Sequence, residues 1–165
     1  MQTIISAHNK EIIGKQESTK KPCNCQKNKK CPLDSKCCHE TLVYKAEVEI
    51  ENGDKKNYIG CTEGSFKIRY NGHTDSFRNE KKKNSTALSA IVWENKLNPD
   101  PNVKWSIIKH VKKYAPGDRM CLVCNYEKMY ILKAEGDKNN INKRSEVASL
   151  SVHRGKHKLA KVKMK

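Results

Sequence analysis

The run Thr41-Leu42-Val43-Tyr44-Lys45-Ala46-Glu47-Val48-Glu49-Ile50, followed after Asn52-Gly53-Asp54 by Asn57-Tyr58-Ile59-Gly60-Cys61, decides the fold. Leu42, Tyr44, Ala46, Val48 and Ile50 alternate with Val43, Lys45, Glu47 and Glu49. A period of two is that of a strand with one buried face. The Asn-Gly pair tolerates positive φ and marks a hairpin turn. The two runs are therefore expected to pair as antiparallel strands, one carrying Tyr44 and the other Tyr58.

Outward from this hairpin, residues 64–80 read as a helix, so Arg69 and His73, four residues apart, share one face. A second helix is expected over 85–96, with Ser85 as N-cap and Leu88, Ile91, Val92 and Trp93 as its apolar face. The basic link Lys81-Lys82-Lys83-Asn84 between them is expected to be exposed. After the turn Asn98-Pro99-Asp100-Pro101, the alternation of Val103, Trp105, Ile107 and Lys109 predicts a third strand over 103–111. Tyr114-Ala115-Pro116-Gly117 reads as a loop. Residues 121–134 read as a helix with Val123, Tyr126, Tyr130 and Ile131 inward. The order strand, strand, helix, helix, strand, helix predicts an α+β fold, a small three-stranded antiparallel sheet flanked by helices.

Composition sets the partner class. At 165 residues the chain has room for one domain with tails. We divide it into a flexible basic tail (1–22), a cysteine-rich segment (23–40), the main domain (41–150) and a basic C-terminal tail (151–165). The formal net charge of +16 implies a polyanionic partner. The basic residues are spread along the chain rather than gathered on one amphipathic helix, which favours a nucleic-acid backbone over a membrane surface. Lys81, Lys82, Lys83, Lys156 and Lys158 are the candidate phosphate contacts; a merely solvated lysine face is the plain alternative. No apolar run approaches the roughly 18 residues of a membrane span. Eight cysteines without an apolar N-terminal signal point to a reducing, intracellular compartment, where clustered cysteines bind metals more often than they form disulfides.

Tyr44, Tyr58, Arg69 and His73 supply two phenols, a fixed positive charge and an imidazole. That set suits phosphodiester cleavage. The reaction needs a deprotonated nucleophile, neutralisation of phosphate charge and stabilisation of the leaving oxyanion. Arg69 offers a planar fork of donors to phosphate. Tyr44 is the candidate acceptor of a water proton, although a phenol at its reference pKa of about 10 is a poor base at neutral pH. Taken singly, each tyrosine is equally at home packing a core.

The cysteines form a separate argument. Cys23, Cys25, Cys31 and Cys37 supply four thiolates in a short loop-rich segment, as a tetrahedral zinc site requires. Cys38 and His39 are alternative ligands. Cys121 and Cys124 with His153 and His157 form a candidate second zinc set; core packing is the alternative for the two cysteines. Cys61, Phe66 and Phe77 read as packed residues.

The ordered set resembles the GIY-YIG endonuclease family. The first tripeptide stands here as Leu42-Val43-Tyr44, without the leading glycine, and the second is intact as Tyr58-Ile59-Gly60. Arg69 and His73 follow on the next helix. The family's glutamate matches Glu127 in Cys124-Asn125-Tyr126-Glu127-Lys128-Met129, and its asparagine matches Asn142 in Ile141-Asn142-Lys143-Arg144-Ser145-Glu146, where Asn139 and Asn140 are neighbouring alternatives. The resemblance spans residues 41–150. It is sharper to the endonuclease domain of Penelope-like retroelements, through Ser76-Phe77-Arg78-Asn79-Glu80, Asn84-Ser85-Thr86, Leu88-Ser89, Val92-Trp93-Glu94 and 142–146. The cysteine-rich lead-in is similar to the zinc-finger-like elements of that group. The resemblance implies a DNA endonuclease with one Mg²⁺ (or Mn²⁺) on Glu127, Tyr58 orienting water or phosphate, His73 contacting phosphate or assisting proton transfer, and Asn142 as a neutral support. It further implies nicking of target DNA for retroelement insertion, a reverse transcriptase of the same element as partner, and a nuclear location. The competing classes are a non-catalytic nucleic-acid-binding relic and a structural zinc module.

Overall fold

The computed structural model describes residues 21–26, 30–51 and 53–148. The expected N-terminal tail up to residue 20, Asn52 of the turn, the C-terminal tail, His153, His157, Lys156 and Lys158 lie outside the described residues. The architecture is α+β. Strand β1 (Glu40–Glu49) is central in a three-stranded antiparallel sheet of order β2-β1-β3, with β2 at Lys55–Ser65 and β3 at Val103–His110. Helices α1 (Phe66–Arg78), α2 (Ala87–Glu94), α3 (Leu122–Lys133) and the short α4 (Arg144–Val147) complete it. Among the described residues no helix is long and apolar enough to cross a membrane.

The hairpin forms where expected. Gly53 takes φ +77° and its N–H reaches Ile50 O at 2.9 Å. Strand β1, however, has more than one buried face. Leu42, Tyr44, Ala46 and Val48 pack with Phe66, Phe77, Leu88 and Val92 under α1 and α2, while Val43 packs with Val123, Cys124 and Ile131 of α3. Helices cover both sides of this central strand, so the alternation of lysine and glutamate marks only its outer half.

Several boundaries differ from the sequence reading for local reasons. Strand β2 runs on to Ser65, so α1 begins at Phe66 rather than 64. It ends at Arg78 because Asn79 is extended, and Asn79 Oδ1 then caps a 3₁₀ turn, Glu80–Lys82. The N-cap of α2 is Thr86, not Ser85. Its Oγ1 accepts from Ser89 N at 3.1 Å while Ser89 Oγ accepts from Thr86 N at 3.0 Å, a reciprocal capping box. In β3 the pairing slips between Val43↔Lys109 and Tyr44↔Ile107, a bulge that breaks the simple alternation. The inner row of α3 is Val123, Cys124, Lys128 and Ile131, whereas Tyr126 and Tyr130 sit at the rim beside Lys109 and Lys133.

The free edge of β2 is covered by the chain before α4. Asn57 N donates to Asn139 O at 2.7 Å and Ile141 N to Asn57 O at 2.9 Å. Such cover satisfies an edge that would otherwise present unpaired backbone groups.

Candidate functional site

Strand β1 pairs Tyr44 directly with Gly60 of β2. The Tyr44 side chain lies over that glycine, and a Cβ there would stand 2.5 Å from Tyr44 Oη and 2.7 Å from Cζ. Gly60 is therefore required for space. Helix α1 starts immediately after β2, and its inward row brings Arg69 and His73 over the same spot. Tyr44 Oη lies 2.7 Å from His73 Nε2, and Arg69 Nε donates to Tyr44 Oη at 3.0 Å. The ring of Tyr58 meets His73 at 5.9 Å between centroids, and Trp105 of β3 lies 5.3 Å from His73 and 5.9 Å from Tyr44.

Burial controls the charges. Tyr44, Tyr58 and His73 are buried, whereas Arg69 and Glu127 are half-buried. Burial raises both phenol pKa values far above their ordinary range, and the Arg69 charge opposes this only in part. Burial, with the Arg69 charge second, pushes His73 down to about 3, so its ring is neutral at pH 7. Burial also works against the Arg69 charge, but the oxygens of Tyr44 and Tyr58 outweigh it and the guanidinium stays fixed. Arg69 can only donate, so it takes one lone pair of Tyr44, and the Tyr44–His73 bond runs in the direction set by the tautomer of the neutral imidazole.

Glu127 of α3 hydrogen-bonds Cys61 on the other side of β2 from Tyr58, near enough for the Arg69 charge to act on it. Burial holds its carboxyl above the usual range; hydrogen bonds from the thiol and backbone N–H of Cys61 and the charge of Arg69 pull the other way. Cys61 is thus more than packing. Its thiol lies between Glu127 and Cys124, and the Cys124 contact, then burial, raises its pKa. The sequence offered one signal for this: Cys61 follows Gly60 and so faces the opposite side of β2 from Tyr58. Trp105 was legible only as a strand residue.

Asn142 does not join the cluster. Its amide behaves like an extra strand residue: Oδ1 accepts from Ile59 N at 2.7 Å, and Nδ2 donates to Ile59 O at 2.8 Å and Glu146 Oε2 at 2.6 Å. It fixes β2 beside Tyr58 and Gly60, a positioning role. Asn139 and Asn140 instead serve the edge pairing, by main chain and by turn contacts.

The four sulfurs of Cys23, Cys25, Cys31 and Cys37 lie within 4.8 Å of one another, a set able to hold a metal ion. The separations Cys23–Cys37, 3.4 Å, and Cys25–Cys37, 3.5 Å, are close to the ~3.8 Å edge of a tetrahedron with metal–sulfur bonds of about 2.3 Å. Of the two alternative ligands, Cys38 turns its thiol to Asn24 Oδ1 at 3.2 Å, and the His39 ring packs at 5.1 Å from that of His110. Cys121 and Cys124 place their sulfurs 3.1 Å apart at the start of α3, but the histidines proposed to complete that set lie outside the described residues. Lys81–Lys83 sit on the exposed 3₁₀ turn, with Lys82 paired to Asp75 and Lys83 at 3.8 Å from Glu80.

Comparison with known proteins finds no matching family model, curated protein or solved structure.

Proposed function

We propose that the chain is a metal-dependent DNA endonuclease of the GIY-YIG type that hydrolyses phosphodiester bonds. The observation that carries the reading is the Tyr44 oxygen held between Arg69 and His73, with Glu127 of α3 near enough for its carboxyl to feel the Arg69 charge. Tyr44, as the phenolate, is the acceptor for the proton of an attacking water. Arg69 stabilises the phenolate, and His73 contacts phosphate or assists proton transfer. At rest the phenol is neutral, so it loses its proton only when added positive charge lowers its pKa. Arg69 also presents its outer nitrogens to phosphate. A divalent cation on Glu127, Mg²⁺ or Mn²⁺, would supply Lewis acidity at the leaving oxygen; a carboxylate is the donor that such hard ions prefer.

The net charge of +16 supports DNA as the substrate, and Lys81–Lys83 as phosphate contacts outside the cluster. Zinc in the four-cysteine set, nicking for retroelement insertion, a reverse transcriptase partner and a nuclear location complete this reading through the resemblance. One observation favours a second reading, a non-catalytic DNA-binding relic: Tyr44 is fully buried and its phenol strongly held in the neutral form. Supercoiled plasmid separates the two. The endonuclease converts it to open circles in Mg²⁺ and not in chelator, and Arg69→Ala and Glu127→Ala each abolish conversion while remaining folded. Binding without conversion under all metal conditions establishes the relic.

A further inference from the structure

Helix α1 carries Arg69 and His73, yet its own N-cap residue, Ser65, makes no side-chain capping bond. Free N–H groups at a helix start need acceptors. Here two come from the cysteine segment: Phe66 N donates to His39 O at 2.9 Å and Lys67 N to Cys37 O at 2.7 Å. Lys67 Nζ adds a bond to Asn24 Oδ1 at 2.8 Å. Cys37 is also one of the four clustered thiols, so the capping carbonyl belongs to a ligand residue.

The loop that presents those carbonyls turns through Lys36 N to Leu33 O at 2.9 Å and His39 N to Lys36 O at 3.0 Å. Between Cys31 and Cys37, Asp34 and Ser35 both take left-handed backbone, φ 43° and 71°, a conformation that side-chain-bearing residues adopt at a cost. Leu33 and Cys37 are the segment's buried apolar anchors among the described residues. A clamp on the sulfurs would hold this geometry.

We infer that metal in the Cys23–Cys25–Cys31–Cys37 cluster acts on the phosphodiester site, by fixing the carbonyls of Cys37 and His39 that cap α1 and so the first turn that holds Arg69. The metal is then a conformational effector of Arg69 and not only a staple of the N-terminal segment. Arg69 lies three residues after Phe66, within the turn that frays first. His73 lies about 10 Å along the axis from Phe66, at 1.5 Å per residue, and is held by Trp105 and Phe77. Loss of metal therefore displaces Arg69 from Tyr44 before it disturbs His73. The burial of Phe66 against Tyr44 and Trp105 keeps the effect local. The consequence for cleavage rests on the endonuclease reading; the coupling itself does not.

The test is amide hydrogen exchange on the full chain, loaded with zinc and after removal by a zinc-selective chelator in excess Mg²⁺. Exchange at Phe66 and Lys67 should accelerate at least tenfold while the β1–β2 ladder stays protected. A second variant, Ser65→Asp, gives the helix its own side-chain cap. In zinc-free protein it should restore protection at Lys67 and part of the plasmid-nicking rate. Unchanged exchange at Phe66 and Lys67, equal loss of protection across the ladder, or no rescue by Ser65→Asp would each overturn the inference. Zinc-dependent protection without nicking in any form would keep the coupling and sink the endonuclease reading.

Discussion

Replacing Gly60 by alanine is a one-carbon perturbation aimed at the Tyr44 oxygen. The added Cβ would stand 2.5 Å from Tyr44 Oη, 2.7 Å from its Cζ and 3.0 Å from Tyr58 Cε1. Normal contact needs about 3.5 Å between such atoms, so the phenol must retreat by up to about 1 Å. Gly60 is not among the positive-φ glycines, so alanine meets no backbone objection; the conflict is steric. The ring has little room, because Phe66 lies 5.2 Å and Trp105 5.9 Å away between centroids. Overpacking of this kind costs about 1–3 kcal/mol. A shift of about 1 Å also breaks the 2.7 Å and 3.0 Å contacts to His73 and Arg69, a misplacement worth roughly 100-fold in rate. Gly64→Ala, in the same strand with nothing within 4 Å, is the control. Thermal melting and plasmid nicking should both fall for Gly60→Ala and hold for Gly64→Ala. A Gly60→Ala protein that melts and nicks like the parent would refute the geometry assigned to Tyr44.

Three further outcomes are expected. The His73 pKa is lowered from 6.5 to about 3, so between these values the unfolded chain binds more protons. Its contribution to stability is present above about pH 6.5 and lost as pH falls towards 3; denaturant titrations across that window should show the slope diminish in His73→Gln. For Glu127 the sign is reversed: its raised pKa means that the metal-free protein loses stability as pH rises through the folded value. Glu127→Gln should therefore melt higher than the parent in chelator at pH 7 while failing to nick, and equal or lower melting would contradict the burial argument. Asn142→Ala removes both amide bonds to Ile59, for a loss of about 1–3 kcal/mol by chemical denaturation, with a smaller fall in nicking than Arg69→Ala.

The strand period around Tyr44 and the Asn-Gly turn made the hairpin legible, because alternation and turn chemistry are local signals. The i, i+4 spacing likewise placed Arg69 and His73 together on one face. Tertiary facts were not legible. The covering of β1 by α3 depends on where a distant helix docks, so the buried side of Val43 had no local sign. The slip opposite Tyr44 depends on pairing, which a single strand does not encode. Asn142 was read as a neutral hydrogen-bonding support, but its partners were not legible: its amide bonds the backbone of Ile59 and Glu146, 83 and 4 residues away in sequence. The role of Cys61 required knowing that α3 brings Cys124 and Glu127 to the back of β2. The clustering of Cys23, Cys25, Cys31 and Cys37 was readable from spacing; their hold on α1 was not, because it runs through carbonyls.

The most direct measurement is single-turnover nicking of supercoiled plasmid in Mg²⁺ by the parent and by Tyr44→Phe. The substitution removes one oxygen and leaves the buried ring. The account predicts metal-dependent nicking by the parent and a rate at least about 100-fold lower for Tyr44→Phe, in a protein that still folds and binds DNA. Equal nicking by the two proteins would contradict it.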